Sequence, residues 1–159
     1  MDSDFEVSRP PTKQLLRDMR GAEAVLPAGV THYRGEQGED VRALAEALEK
    51  NTTVTSLDLK SNGIGDEGAA SLAAALEKNL TVTSLNLRVN GIRDDGAASV
   101  AAALEKNSTL TSIDIGRNLI GTKGAARLAA ALDKNSTSPC QKIIHQFSLT
   151  PTSVHPAHC

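Results

Sequence analysis

The sequence predicts an α/β fold: a short right-handed solenoid with parallel strands on one face and helices on the other. Two observations carry this. A unit of 28 residues occurs three times in succession, and within each unit the apolar spacing switches from two to three or four. Thr55 to Val82 reads TSLDLKSNGIGDEGAASLAAALEKNLTV, and Thr83 to Leu110 reads TSLNLRVNGIRDDGAASVAAALEKNSTL, identical at 20 of 28 positions. Thr111 to Ser138 opens TSIDIGRNLIGTKGAARLAAALDKNSTS, the same unit again. Self-similarity at a period of roughly 20–50 residues marks stacked supersecondary units and not a globule around one pocket. Attention therefore goes to a binding surface before an active site.

Each unit begins with a strand. Leu57 and Leu59 alternate with polar neighbours, as do Leu85 and Leu87, then Ile113 and Ile115; alternation of this kind makes one face of a short strand apolar. A helix follows. Ala69, Leu72, Ala73 and Leu76 fall at i, i+3, i+4 and i+7 and form one apolar stripe. Alanines at 69, 70, 73, 74 and 75 favour the helix and keep it slim enough to stack on its neighbours. Asp66, Asp94 and Thr122 stand where helix N-caps are expected. Lys78, Lys106 and Lys134 fall in the last turn, where cations suit the helix dipole, and Asn79, Asn107 and Asn135 follow as expected left-handed C-caps. A strand, a helix and an equivalent strand place successive strands side by side and parallel, about 4.8 Å apart.

Aligned as LxxLxLxxNxL, the units give Val54, Leu57, Leu59, Asn62, Ile64, then Val82, Leu85, Leu87, Asn90, Ile92, then Leu110, Ile113, Ile115, Asn118, Ile120. This pattern resembles the leucine-rich repeats of the ribonuclease-inhibitor type, over residues 41 to 135. It is similar in particular to repeats of nucleotide-binding immune receptors and of Ran GTPase-activating protein. The resemblance implies a horseshoe segment with its strands on the concave face. It is specific for fold and says little of function.

The ends depart from the unit. Gly35 to Asn51, GEQGEDVRALAEALEKN, aligns with Gly63 to Asn79, so that Val41, Leu44 and Leu48 continue the helix stripe. In that alignment Arg34 replaces Asn62 and Glu36 replaces Ile64, which predicts an N-terminal half-repeat with no secure strand, so that residues 35–138 comprise a half-repeat plus three full units after an irregular N-terminal segment or cap over residues 1–34. Within that cap, Lys13 to Met19 is a candidate short helix. Residues 139–159 form a tail or degenerate cap. Ile144, Phe147, Leu149, Thr152 and Val154 echo the repeat spacing, and would cover the exposed sheet edge if they form a strand; a flexible or foreign C-terminus is the other reading.

Composition narrows the function classes. The net charge is -2 and the pI about 6.1, which offers no basic footprint for nucleic acid. Aromatic residues make up 2% of the chain and Trp is absent, so bases and sugars have no stacking platform. The start, MDSDFEVSRPP, carries no secretory h-region, no run is long enough to span a bilayer, and the two cysteines, Cys140 and Cys159, lie outside the repeats. A cytoplasmic protein is expected, with no membrane partner and no cofactor. Four N-x-S/T matches, at Asn51, Asn79, Asn107 and Asn135, are spaced by 28 and read as one sequence accident copied with the repeat. The tail residues Cys140, His145, His155, His158 and Cys159 match no standard zinc spacing, so no metal site is expected.

The candidate site is the polar face of the strands. Side chains beside the buried leucines point outward and form columns across the units: Ser56, Ser84, Ser112; then Asp58, Asn86, Asp114; then Lys60, Arg88, Gly116, flanked by Ser61, Val89 and Arg117. An acidic column beside a basic one suits a protein partner of complementary charge. Without large aromatic anchors, Arg88 and Arg117 are the best candidates for anchoring contacts. Asn62, Asn90 and Asn118 are assigned a structural role, turned inward to satisfy backbone groups of the adjacent turn. Asp58 and Asp114, two strands apart, are too distant to share an ion and face open solvent, so neither metal binding nor acid–base catalysis is expected of them. The expected function is protein–protein interaction without catalysis. Activation of a small GTPase, implied only by the resemblance, and membership of a longer immune-receptor-like array are the alternatives. The ends of so short a stack also leave self-association open.

Overall fold

Four short strands and four helices alternate along residues 32–35 and 40–135, the part of the chain that the computed structural model describes. In chain order they are β1 (His32–Arg34), α1 (Val41–Lys50), β2 (Ser56–Asp58), α2 (Gly65–Lys78), β3 (Ser84–Asn86), α3 (Asp94–Lys106), β4 (Ser112–Asp114) and α4 (Thr122–Lys134). The strands form one parallel sheet in the order β1-β2-β3-β4. The expected helix at Lys13 to Met19, the echo at Ile144 to Val154 and the tail cysteines and histidines lie outside the described residues.

Between β2, β3 and β4 the register is that of the repeat. Leu57 pairs with Leu85 and Leu85 with Ile113, each offset by one unit. The ladder runs past the assigned strands: Leu59 N–H donates to Asn86 O at 2.9 Å, Ser61 N–H to Arg88 O at 3.0 Å and Gly65 N–H to Asn90 O at 2.8 Å. The strand leucines and isoleucines meet the helix stripes in one core, in which Leu59, Leu72, Leu87 and Ala97 are fully buried. Slim alanine faces are what allow this. Ala69, Ala75, Ala97 and Ala131 are wholly buried where the helices approach the strands and one another.

The N-terminal unit differs from the sequence expectation. β1 is a true strand of the sheet, and it pairs with β2 at His32↔Ser56, Tyr33↔Leu57 and Arg34↔Asp58. Its offset from β2 is four residues shorter than the repeat. Arg34 therefore stands at the position of Asp58, not of Asn62, and residues 32–50 contain no asparagine to match Asn62. Tyr33, 2% exposed, fills the strand-leucine position. An alignment anchored on the helix leucines could not show this, because the missing residues fall between strand and helix. Asp40 caps α1 in the ordinary way, its Oδ1 accepting from Ala43 N–H at 3.3 Å.

The caps also differ from expectation. α2 begins at Gly65 and α3 at Asp94, so Asp66 and Asp94 lie inside the first turns, and neither α2, α3 nor α4 has a side-chain cap from its own N-cap residue. The carboxylates cap the following helix instead. Asp66 Oδ1 accepts from Arg93 N–H at 2.7 Å and Gly96 N–H at 2.9 Å. Asp94 Oδ1 repeats the contact on Gly121 and Gly124 at 2.8 and 2.9 Å. Glycine is required at 96 and 124 for that approach, since a Cβ there would meet the incoming carboxylate at 2.5 and 2.7 Å respectively. Thr122 is exposed at the equivalent position of the last unit.

Asn79, Asn107 and Asn135 are extended, not left-handed; φ is -76°, -77° and -81°. The side chain takes over the work expected of a left-handed turn. Asn107 Nδ2 donates to Leu76 O at 2.7 Å and Asn79 O at 3.0 Å in the preceding unit, while its Oδ1 accepts from Thr109 and Leu110 N–H at 2.9 and 2.7 Å. Asn79 makes the same set of contacts one unit earlier, and Asn135 donates to Leu104 O and Asn107 O. On the helix surface, Lys78, Lys106 and Lys134 each reach a glutamate of the preceding helix, Glu49, Glu77 and Glu105, at 2.7–3.1 Å.

Candidate functional site

The sheet buries one side chain and presents the next. In β2, β3 and β4 the central residue is buried and its two neighbours are half-exposed, so the serine column and the Asp58–Asn86–Asp114 column read from the sequence lie on one open face; in the third column Lys60 is exposed and Arg88 half-buried, but Gly116 is buried. Ser56, Ser84 and Ser112 are directly paired, as are Asp58, Asn86 and Asp114. β1 adds His32 and Arg34 to the same two rows. Neither was among the candidate residues. The alternation of exposure around Tyr33 was their signal, hidden because a tyrosine occupies the place of a leucine.

The acidic column is not free to serve a partner alone. Asp58 Oδ1 accepts from Lys60 N–H at 3.2 Å, Asn86 Oδ1 from Arg88 N–H at 3.1 Å and Asp114 Oδ1 from Gly116 N–H at 2.9 Å. Each side chain thus pins the exit of its own strand, a local bond typical of Asp and Asn at turns. An amide serves as well as a carboxylate here, which explains how Asn86 substitutes between two aspartates. The outer oxygens of both carboxylates lie near arginines of the preceding strand or its exit: Arg34 Nε is 3.8 Å from Asp58 Oδ2 and Arg88 Nη1 is 3.9 Å from Asp114 Oδ2. Asp58 and Asp114 are separated by β3, with Asn86 between them.

Beyond the strands the backbone turns sharply at one position per unit. Ser61, Val89 and Arg117 have φ of 60°, 58° and 52°. A left-handed conformation is costly for any residue with a Cβ and most so for a β-branched one such as Val89. The turn is held by the asparagine that follows. Asn90 Oδ1 accepts from Asn62 N–H at 2.8 Å and Ile64 N–H at 3.4 Å, and its Nδ2 donates to Leu59 O at 2.9 Å. Asn118 does the same for the middle unit, at 2.8, 3.1 and 2.9 Å. Asn62 donates to Lys60 O at 3.1 Å, but its buried Oδ1 has no partner. In the next two units the equivalent oxygen accepts from the turn of the preceding unit, and residues 32–50 contain no asparagine to continue that series.

At the exit of the strands, Lys60 and Arg117 are exposed and Arg88 is half-buried. Among the described residues Lys60 and Arg117 make no ion pair. No helix among the described residues is long and apolar enough to cross a membrane, and no group of three His, Cys, Asp or Glu side chains gathers there to hold a metal.

Parallel strands in the repeat register, buried asparagine ladders and helices packed behind them agree with the family comparison. Residues 50–73, 78–101 and 106–129 match a family model described as leucine-rich repeat, one stretch for each of three successive units. Those three units are leucine-rich repeats. Among solved structures, the repeat protein is similar to one described as "Leiomodin-1 Actin-Binding Site 2", with a TM-score of 0.69 and 27% sequence identity, over 86% of this chain and 78% of that one. No curated protein matches its sequence. These likenesses support a protein-binding module built on an α/β leucine-rich-repeat solenoid.

Proposed function

We propose that this repeat protein holds a partner protein against the concave face of its sheet, through Ser56, Asp58, Lys60, Ser84, Asn86, Arg88, Ser112, Asp114 and Arg117. The observation that carries the reading is the registered face itself. Two columns of polar side chains lie at strand spacing on one side of the sheet, with Lys60 and Arg88 following at the strand exits, and the residues between them are core. Side chains fixed at regular intervals lose little freedom on binding, which favours recognition of an extended protein surface. The repeat length supports a place in the ribonuclease-inhibitor type. No catalytic role is proposed for any residue.

Actin is the partner to test first, because the similar solved structure is described as an actin-binding site. Cosedimentation with filamentous actin, and capture from lysate followed by mass spectrometry, compare the wild type with Ser56→Arg/Ser84→Arg. Both serines are half-exposed on the open face, so the larger side chains project to solvent and leave the core intact. The folded variant is expected to lose every specific partner. Partners retained at wild-type yield would remove the concave face from the proposal.

A further inference from the structure

Charge is unevenly placed on the open face. Among the described residues of that face, Arg34, Lys60, Arg88 and Arg117 stand beside two carboxylates, Asp58 and Asp114, although the chain as a whole carries a net charge of -2. Those two carboxylates are already engaged with backbone amides and with Arg34 and Arg88. The surplus lies at the strand exits, in Lys60 and Arg117. Between them stands Arg88, which is poorly held. Its Nε–H is buried without an acceptor, and its contact to Asp114 at 3.9 Å is beyond hydrogen-bonding distance. A guanidinium with an unpaired donor gains a bond when it turns its planar fork onto a carboxylate, which it can grip with two parallel hydrogen bonds.

An apolar contact lies beside this cation row. Val89 follows Arg88 directly, is 39% exposed and sits at φ 58°. Leu119, two residues beyond Arg117, is 64% exposed. A β-branched residue held left-handed and turned to solvent is a cost the fold does not need, since Ser61 occupies the same position one unit earlier. Cations and exposed aliphatic side chains thus share one edge of the face.

We infer that the strand-exit edge formed by Lys60, Arg88, Val89 and Arg117 receives an acidic segment of a partner protein, with a carboxylate seated on Arg88 and an apolar side chain against Val89. This rests on the concave-face reading and specifies which part of the face, and which partner chemistry, decides binding. Lys60 and Arg117 attract the segment and set its salt dependence, and Arg88 exchanges its loose contact with Asp114 for a bidentate one.

The test uses the full chain and fluorescein-labelled peptides in which glutamates flank leucines, read by anisotropy, against matched peptides with glutamine or lysine in place of glutamate. The glutamate peptides are expected to bind at least about tenfold more tightly than the glutamine set, and binding should weaken as salt rises from about 50 to about 200 mM. Lys60→Glu/Arg117→Glu, both at exposed positions, should abolish it, and Arg88→Lys should weaken it by about tenfold because the fork is lost. The inference is overturned by equal binding of glutamate and glutamine peptides, by wild-type affinity in the charge-reversed variant, or by no binding of any glutamate peptide at low salt. Ser56→Arg/Ser84→Arg separates the two levels. If it abolishes partner binding while charge reversal does not, the concave face stands and the acidic partner falls.

Discussion

Replacing Asp66 by alanine tests how the units are joined. Its Oδ1 accepts from Arg93 N–H at 2.7 Å and Gly96 N–H at 2.9 Å, two amides at the start of the helix in the next unit. Loss of an N-cap costs about 0.5–2 kcal/mol, and charge-assisted bonds lie at the upper end. A loss of about 2 kcal/mol is therefore expected, which for a domain of this size lowers the melting temperature by roughly 10 °C. Asp66→Asn keeps an acceptor without the charge and should lose about half as much. Hydrogen exchange decides where the cap acts. Gly68 N–H already donates to Ile64 O within α2, so Asp66→Ala should leave Gly68 and Ala69 protected and expose Arg93 and Gly96. Loss of protection at Gly68 and Ala69, with Arg93 and Gly96 unchanged, would refute capping across the repeat boundary.

Other substitutions probe different parts of the same stack. Asn107→Ala strands two carbonyls of the preceding unit and two amides of its own, and should cost about 3 kcal/mol in urea denaturation. Val89→Asn relieves the left-handed strain at φ 58° and should stabilise the fold by about 0.5–1 kcal/mol in the same measurement, while weakening the glutamate–leucine peptides. Lys106→Ala removes an exposed pair with Glu77 and should change stability by no more than about 0.5 kcal/mol. Leu85→Ala, at a central position 1% exposed, should cost about 2–5 kcal/mol and, in so short an array, melt the chain as a whole.

The residues that alternate or recur at helical spacing were legible because burial imposes those periods within a single unit. Leu57, Leu59, Leu72 and Leu76 are core in the structure for the reason the sequence suggested. What the sequence could not show is which unit a side chain serves. A tandem repeat determines position only up to whole units, so a contact within one unit and a contact one unit away leave the same trace. Asp66 stands near the start of its own helix yet bonds the next one, and Asn79 stands at the end of its own helix yet donates to the preceding unit. Lys78 has the same ambiguity, being placed for its own helix dipole while reaching Glu49. Only a break in the repeat resolves it. The first unit is such a break: residues 32–50 hold no asparagine to continue the ladder, and Asn62 Oδ1 is left without a donor. The open face carries the same limit into function. The period of 28 aligned the serines and the Asp58–Asn86–Asp114 row, which pair across the strands, but treated the aspartates as available, whereas Asp58 and Asp114 each accept from an amide two residues on. With one oxygen of each carboxylate given to the backbone, the charge free of such bonds on the described face is weighted toward the cations at the strand exits.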